Sequence, residues 1–295
     1  LVKTSELDPS RNYLLGFHPH GIMGLGAFVN FSTEATGFSN KYPGITPYLL
    51  TLSGWFNFPV TRDYLMCSGL CDVSGDSIDY LLGGPGSGRS VVVIVGGATE
   101  SLEAHPHKNV VYLSKRKGFV KRAIKHGACL VPVYSFGETD IFDQVPNPEG
   151  SFLRKLQSRL TKAVGFAPPM FHGRGIFNYS VGFLPYRRPI HTVVGKPIEI
   201  RKSINPTQEE VDTIHQIYMN SLRELFDDHK VNMDISFFKW LQFAPLHVPW
   251  ERRLQTLGMV YFWTSFIFMG VVPIIVGVYL LYTDFYWLTL LGALW

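Results

Sequence analysis

Residues 18–21 read His18-Pro19-His20-Gly21, two imidazoles one residue apart, stiffened by proline and released by glycine. Imidazole titrates near neutrality, so either ring could take a proton from an alcohol without large tuning. Gly21, Gly24 and Gly26 allow close backbone approach, and their N–H groups could meet an oxyanion. A His-x-His pair alone leaves three readings open: a base, a pair of metal ligands, or a structural contact. A second constellation is Gly96-Gly97-Ala98-Thr99-Glu100. Glu100 could orient and charge-stabilise an imidazole, as the acid of a hydrolase triad does, or it could be an ordinary carboxylate at a helix start. The third is Lys115-Arg116-Lys117-Gly118-Phe119-Val120-Lys121-Arg122. Basic residues at a helix start form an anion site, and a solvated basic face is the plain alternative.

The elements that must position these residues read as α/β. Asn12 to Phe17 is strand-like and ends at the histidines, and Val91 to Val95 is a β-branched run closed by Gly96-Gly97, the pattern of a strand buried on both faces. Phe119 to His126 is an amphipathic helix with Gly127 as its C-terminal cap, and Cys129 to Phe136 follows as another strand. Active sites of open α/β sheets lie beyond the carboxyl ends of the strands, where the histidines and Glu100 both fall. His191–Val194 and Ile198–Ile200 also read as strand. Asn205 is expected to cap a helix with Pro206 and Glu209 in its first turn and an apolar face of Val211, Ile214, Ile217, Tyr218, Leu222, Leu225 and Phe226. Gly83 to Ser90 nearly spells a phosphate loop, but Arg89 stands where lysine belongs and the loop precedes a strand instead of following one.

The chain has 295 residues, 46% apolar and only 17% charged, with net charge +4. Soluble domains carry about 25% charged residues, so the composition leans towards a membrane. The modest charge suits an anionic cofactor or a membrane surface and lacks the dense basic stripe that nucleic acid demands. Three cysteines point to a reducing compartment rather than a disulfide framework. From Leu254 to Trp295 the only charged side chain is Asp284, so a transmembrane helix or hairpin is expected, with Pro273 at a bend. Lys239, Arg252 and Arg253 precede it and put that flank on the cytosolic side. The organisation expected is a domain at residues 1–235, a basic amphipathic junction at 236–253 and a transmembrane segment at 254–295. Asn30-Phe31-Ser32 and Asn178-Tyr179-Ser180 match the glycosylation pattern, silent on a cytosolic domain. No signal peptide opens the chain, and a first residue other than Met implies that the natural N-terminus lies upstream.

The histidine run, the Gly96–Ser101 turn, the basic helix and the Leu130-Val131-Pro132-Val133-Tyr134-Ser135-Phe136-Gly137-Glu138 strand together resemble the diacylglycerol/monoacylglycerol acyltransferase family from Leu1 to about Lys230. Phe171-His172-Gly173-Arg174-Gly175 and Thr192 to Ile198 extend the match. Glu6 to Tyr13, Pro185 to Ile190, Phe243 to Leu246 and Pro249 to Thr256 are most similar to the monoacylglycerol acyltransferases. In the family that last stretch and its membrane hairpin open the protein; here they close the chain, as if the order were permuted or two tandem copies joined.

The resemblance implies a glycerolipid-acyltransferase-like sheet with flanking helices, and acyl transfer from acyl-CoA to monoacylglycerol, diacylglycerol or a long-chain alcohol. It makes His20 or His18 the base, Glu100 its support, and the N–H groups near Gly21 or Gly97 the oxyanion donors. Lys115, Arg116, Lys117 and Lys121 would receive the CoA phosphates, while His172 and Arg174 are site candidates on the resemblance alone. No arginine follows Glu100 to grip a substrate phosphate, which fits a neutral acceptor. Acyl-CoA is then a co-substrate, with no metal or further cofactor. Expected partners are glycerolipid and membrane lipid but not nucleic acid, homo-oligomer formation is left open, and the place is the endoplasmic reticulum membrane with the catalytic domain facing the cytosol. Two rivals are a metal-dependent hydrolase using His18-x-His20 with His105-Pro106-His107, and an inactive membrane or lipid-droplet protein.

Overall fold

In the computed structural model, residues 1–164, 169–175 and 182–238 are described. In chain order the elements are β1 (Val2–Lys3), β2 (Tyr13–His18), α1 (Leu25–Phe31), α2 (Phe38–Lys41), β3 (Thr46–Thr51), α3 (Thr61–Cys67), β4 (Leu70–Asp72), α4 (Gly75–Gly83) and β5 (Arg89–Ile94). There follow α5 (Gly97–Ser101), α6 (Gly118–His126), β6 (Cys129–Phe136), β7 (Asp143–Gln144), α7 (Phe152–Val164), β8 (Phe171–His172), β9 (His191–Val194) and α8 (Gln208–Phe238). One sheet has the order β1-β9-β6-β2-β5-β3-β4, and β7 pairs with β8 in a separate antiparallel ribbon. The strands from β6 to β4 run parallel, whereas β9 lies antiparallel to β6.

Alternation along the central strands divides the core. Tyr13, Leu15 and Phe17 join Val92, Val131 and Val133 beneath α1 and α2, while Leu14 faces Val91, Val93, Leu130 and the helices α4, α6 and α8. Every residue of β2 is buried, as expected of a parallel strand covered on both sides. The order places β2 between β5 and β6, so the turns that leave those two strands flank the histidines.

The expected strands at β2, β5, β6 and β9 form, and α6 ends at Gly127 with φ +69°. Three expectations are corrected. Ile198–Ile200 is no strand, because only Ile198 bridges to Leu130. The cap of α8 is Thr207 rather than Asn205: its Oγ1 accepts from the Glu210 N–H (3.2 Å) and its own N–H donates to Glu210 Oε2 (2.8 Å). That reciprocal pair satisfies two groups at once, which Asn205 with Pro206 after it cannot match. Ile217 is exposed, one step outside the stripe formed by Val211, Tyr218, Leu222 and Leu225. Among the described residues no helix is long and apolar enough to cross a membrane, and the expected segment at 254–295, with all but the first residues of the junction, lies outside them.

Candidate active site

His18 ends β2 on the α8 side of the sheet, fully buried. Its Nε2 lies 3.0 Å from the Tyr218 hydroxyl, which donates its proton to Gly16 O at 3.1 Å. Gly16 makes this possible, since a Cβ there would stand 2.0 Å from that oxygen. A hydroxyl that has given its one proton to a carbonyl can only accept from the imidazole, so Nε2 carries the His18 proton. Burial pulls the His18 pKa down to about 3, so the ring is neutral. His18 is therefore a clamp between β2 and α8 and is poorly placed as a base.

His20 differs. Its Nδ1 lies 3.0 Å from Gly21 O, and a carbonyl only accepts. The proton then sits on Nδ1, leaving the lone pair of Nε2 as the basic atom. Burial also lowers this pKa from its ordinary value, favouring the neutral form at physiological pH. His20 itself is half-buried, between buried Pro19 and buried Gly21.

Glu100 is buried in α5, and its position corrects the expected role. Its Oε1 accepts from the His20 backbone N–H (2.5 Å) and its Oε2 from the Tyr112 N–H (2.7 Å). Both oxygens are thus engaged by main chain, and the carboxylate holds the backbone beneath the ring instead of pairing with the imidazole. Burial raises its pKa against those two N–H groups and the charge of Arg116. Gly96 admits the arrangement, because a Cβ there would meet the Glu100 carboxyl at 2.2 Å. Gly97 follows with φ +60°.

The four basic residues are not brought together. Arg116 reaches Gly96 O (3.4 Å) and stands at the same sheet edge as Glu100. Lys117 is tied to Asp212 of α8 (2.8 Å), while Lys115 and Lys121 face solvent. His172 and Arg174 belong to the ribbon region. His172 Nδ1 is 3.3 Å from the Tyr186 hydroxyl, which donates to Asp143 Oδ2 (2.9 Å), and buried Arg174 donates from Nε to Pro185 O (3.0 Å). This region touches the site through packing: Phe142 and Phe171 lie in one cluster with Ile22 and Met23, just after His20. The second histidine pair also has other partners, with His105 Nε2 3.1 Å from Asn147 Oδ1 and the His107 N–H donating to Asp140 Oδ1 (2.7 Å).

The unanticipated residue is Glu138, fully buried just past β6 on the other side of β2. Its Oε2 accepts from the Gly26 N–H (2.9 Å). A Cβ at Gly26 would meet that oxygen at 2.3 Å, and one at Gly21, where φ is +62°, would meet Glu138 Cγ at 2.7 Å. The glycine-rich loop after His20 is thus folded around this carboxyl. Burial pushes its pKa up to about 7, against hydrogen bonds from Gly26, Leu25 and Ser135. The signal for it was present: Gly137-Glu138 follows a buried strand, as Gly96 to Glu100 does.

The arrangement supplies a neutral imidazole with its lone pair on Nε2, a fixed backbone beneath it, glycine N–H groups beside it and a cation at the edge. Such a set suits proton removal from a hydroxyl. Residues 1–244 match the family model described as diacylglycerol acyltransferase. The chain is 54% identical over 230 residues to 2-acylglycerol O-acyltransferase 1 of Bos taurus, covering 78% of this chain and 69% of that protein. It is 56% identical over 236 residues to Diacylglycerol O-acyltransferase 2 of Homo sapiens, covering 80% of this chain and 61% of that one. A solved structure, the 1-acyl-sn-glycerophosphate (LPA) acyltransferase PlsC from Thermotoga maritima, aligns with TM-score 0.41 and 12% identity over 76% of this chain and 71% of that one, a likeness too loose to carry an argument.

Proposed function

The chain belongs to the diacylglycerol acyltransferase family, and from that premise we propose that it moves a fatty acyl group from acyl-CoA to the free hydroxyl of a monoacylglycerol, forming diacylglycerol. Acyl transfer in neutral-lipid synthesis is the chemistry of its relatives, so the hydrolase and inactive readings are not favoured. Diacylglycerol is the second acceptor to consider, because the identity to Diacylglycerol O-acyltransferase 2 is as high. A long-chain alcohol is the third. We place the enzyme at the endoplasmic reticulum membrane with its catalytic domain towards the cytosol, anchored through residues 254–295 and needing no cofactor beyond the acyl-CoA co-substrate.

In this reading His20 Nε2 takes the acceptor hydroxyl proton as that oxygen attacks the thioester carbon. The tetrahedral oxyanion is met by backbone N–H groups near Gly21 or Gly97. The C–S bond then breaks, and the departing thiolate of CoA recovers the proton from His20. Glu100 acts through the backbone it holds, and Arg116, with Lys115, Lys117 and Lys121, attracts the CoA phosphates. The observation that carries the reading is the His20 ring itself, with Nδ1 bonded to Gly21 O and the backbone gripped by Glu100.

The test is microsomal expression with labelled acyl-CoA, offering 2-monoacylglycerol, diacylglycerol and a long-chain alcohol in parallel. His20→Ala is expected to lower turnover by about 10²–10⁴ without loss of folding. Undiminished transfer by His20→Ala would remove His20 as the base. Monoacylglycerol is expected to be the fastest acceptor, and equal rates on all three would overturn the acceptor assignment.

A further inference from the structure

Helix α7 turns an apolar stripe outward. Phe152, Leu156 and Leu160 recur at every fourth residue, which places them on one face, and they are 83%, 44% and 40% exposed. The opposite face is bolted down. Buried Gln157 accepts from Asn147 Nδ2 (3.0 Å), and Arg154 pairs with Glu103 while also donating to Leu102 O (3.1 Å). The stripe is therefore presented by an anchored helix. Its anchor, Leu102, lies two residues beyond Glu100, at the same end of the sheet as His20. Lys155 and Arg159 flank the stripe and are exposed, and no acidic residue occurs from Phe152 to Val164.

We propose that α7 is an interfacial helix that lays Phe152, Leu156 and Leu160 into the headgroup–acyl boundary of an anionic membrane, with Lys155 and Arg159 at the lipid phosphates. A helix with one greasy face and a cationic flank binds at such an interface through buried apolar area together with attraction to anionic lipid. Charge of a single sign beside the stripe complements an anionic surface. Docking there would bring the edge that carries His20 to the lipid from which an acyl acceptor arrives.

The test uses the full chain with exposed Cys67 and half-buried Cys71 replaced by serine. An environment-sensitive fluorophore is attached through Leu156→Cys or, as a control, through Tyr80→Cys on α4, a position 79% exposed. In vesicles containing phosphatidylserine, the probe at position 156 is expected to shift to the blue, to lose its quenching by aqueous iodide and to be quenched by brominated acyl chains. The control probe is expected to remain aqueous. Adding Lys155→Glu and Arg159→Glu is expected to lower the docked-to-free ratio by about tenfold or more on these vesicles, since each basic residue near such a surface contributes on the order of 1 kcal/mol. A position 156 probe that iodide reaches equally with and without vesicles overturns the proposal and leaves the stripe to a protein partner. Equal shielding at both positions also overturns it. Because the readout is lipid contact, these outcomes are independent of whether acyl transfer is detected.

Discussion

The His20 proton sits on Nδ1 because Gly21 O can only accept, and that one bond decides which nitrogen keeps its lone pair. The sequence presented His18 and His20 as equivalent. Burial and the Tyr218 hydroxyl separate them, and neither influence is visible in a stretch of four residues. The same holds for Glu138, whose neighbours are the glycines of a distant loop. Its carboxyl is raised from the ordinary 4.5 to about 7 by burial, so the folded state binds a proton that the unfolded state has already released in that interval. By linkage, its stabilisation is fully present below about pH 4.5 and is lost as the pH rises through about 7, an effect on the order of 3 kcal/mol at most. Glu138→Gln is expected to flatten this part of the stability profile. Thermal midpoints of both proteins at several pH values between 4.5 and 8 would check it, and parallel profiles would count against a titrating Glu138.

Among the elements, β2 and α8 are joined where Tyr218 crosses Gly16, at a sequence separation that no local pattern reveals. Gly16→Ala would drive a methyl to 2.0 Å from the Tyr218 hydroxyl, and overpacking of this kind costs about 1–3 kcal/mol. The substitution is expected to lower the thermal midpoint and loosen His18. In a double-mutant cycle, Tyr218→Phe should relieve part of the cost, because the nearest atom is then gone; strictly additive losses would refute the contact. Strands β2, β5 and β6 were legible because a continuous β-branched or apolar run closed by glycine or histidine has few other solutions. The start of α8 was misplaced because its capping box, Thr207 with Glu210, competes with a more obvious Asn205. Helix α7 was not among the elements expected from the sequence. Only the hydrogen bonds of Gln157 and Arg154 show which side points inward.

At the scale of the whole molecule, the sheet order β6-β2-β5 is what brings the separate motifs together. It sets the turn after β5 on one side of the histidines and the turn after β6 on the other, so two buried carboxyls grip one loop from opposite sides. The run from Leu254 to Trp295, with Asp284 its single charge, gives a prediction at this scale. The chain is expected to stay in the membrane pellet on alkaline carbonate extraction, since about 20 apolar residues suffice to span the hydrocarbon. Release into the supernatant would contradict an integral segment there. By itself the sequence determined the α/β class, the strands that end beside His18, His20 and Glu100, and the candidacy of those three residues. Periodicity, strand closure by glycine and motif order are properties of adjacent residues, so they survive without coordinates. Tertiary structure alone decided which histidine is clamped and which is free, that Glu100 holds backbone instead of the ring, and that Glu138 belongs to the same loop. Those outcomes depend on burial and on partners far apart in the chain, which exist only once the sheet and α8 have closed around them.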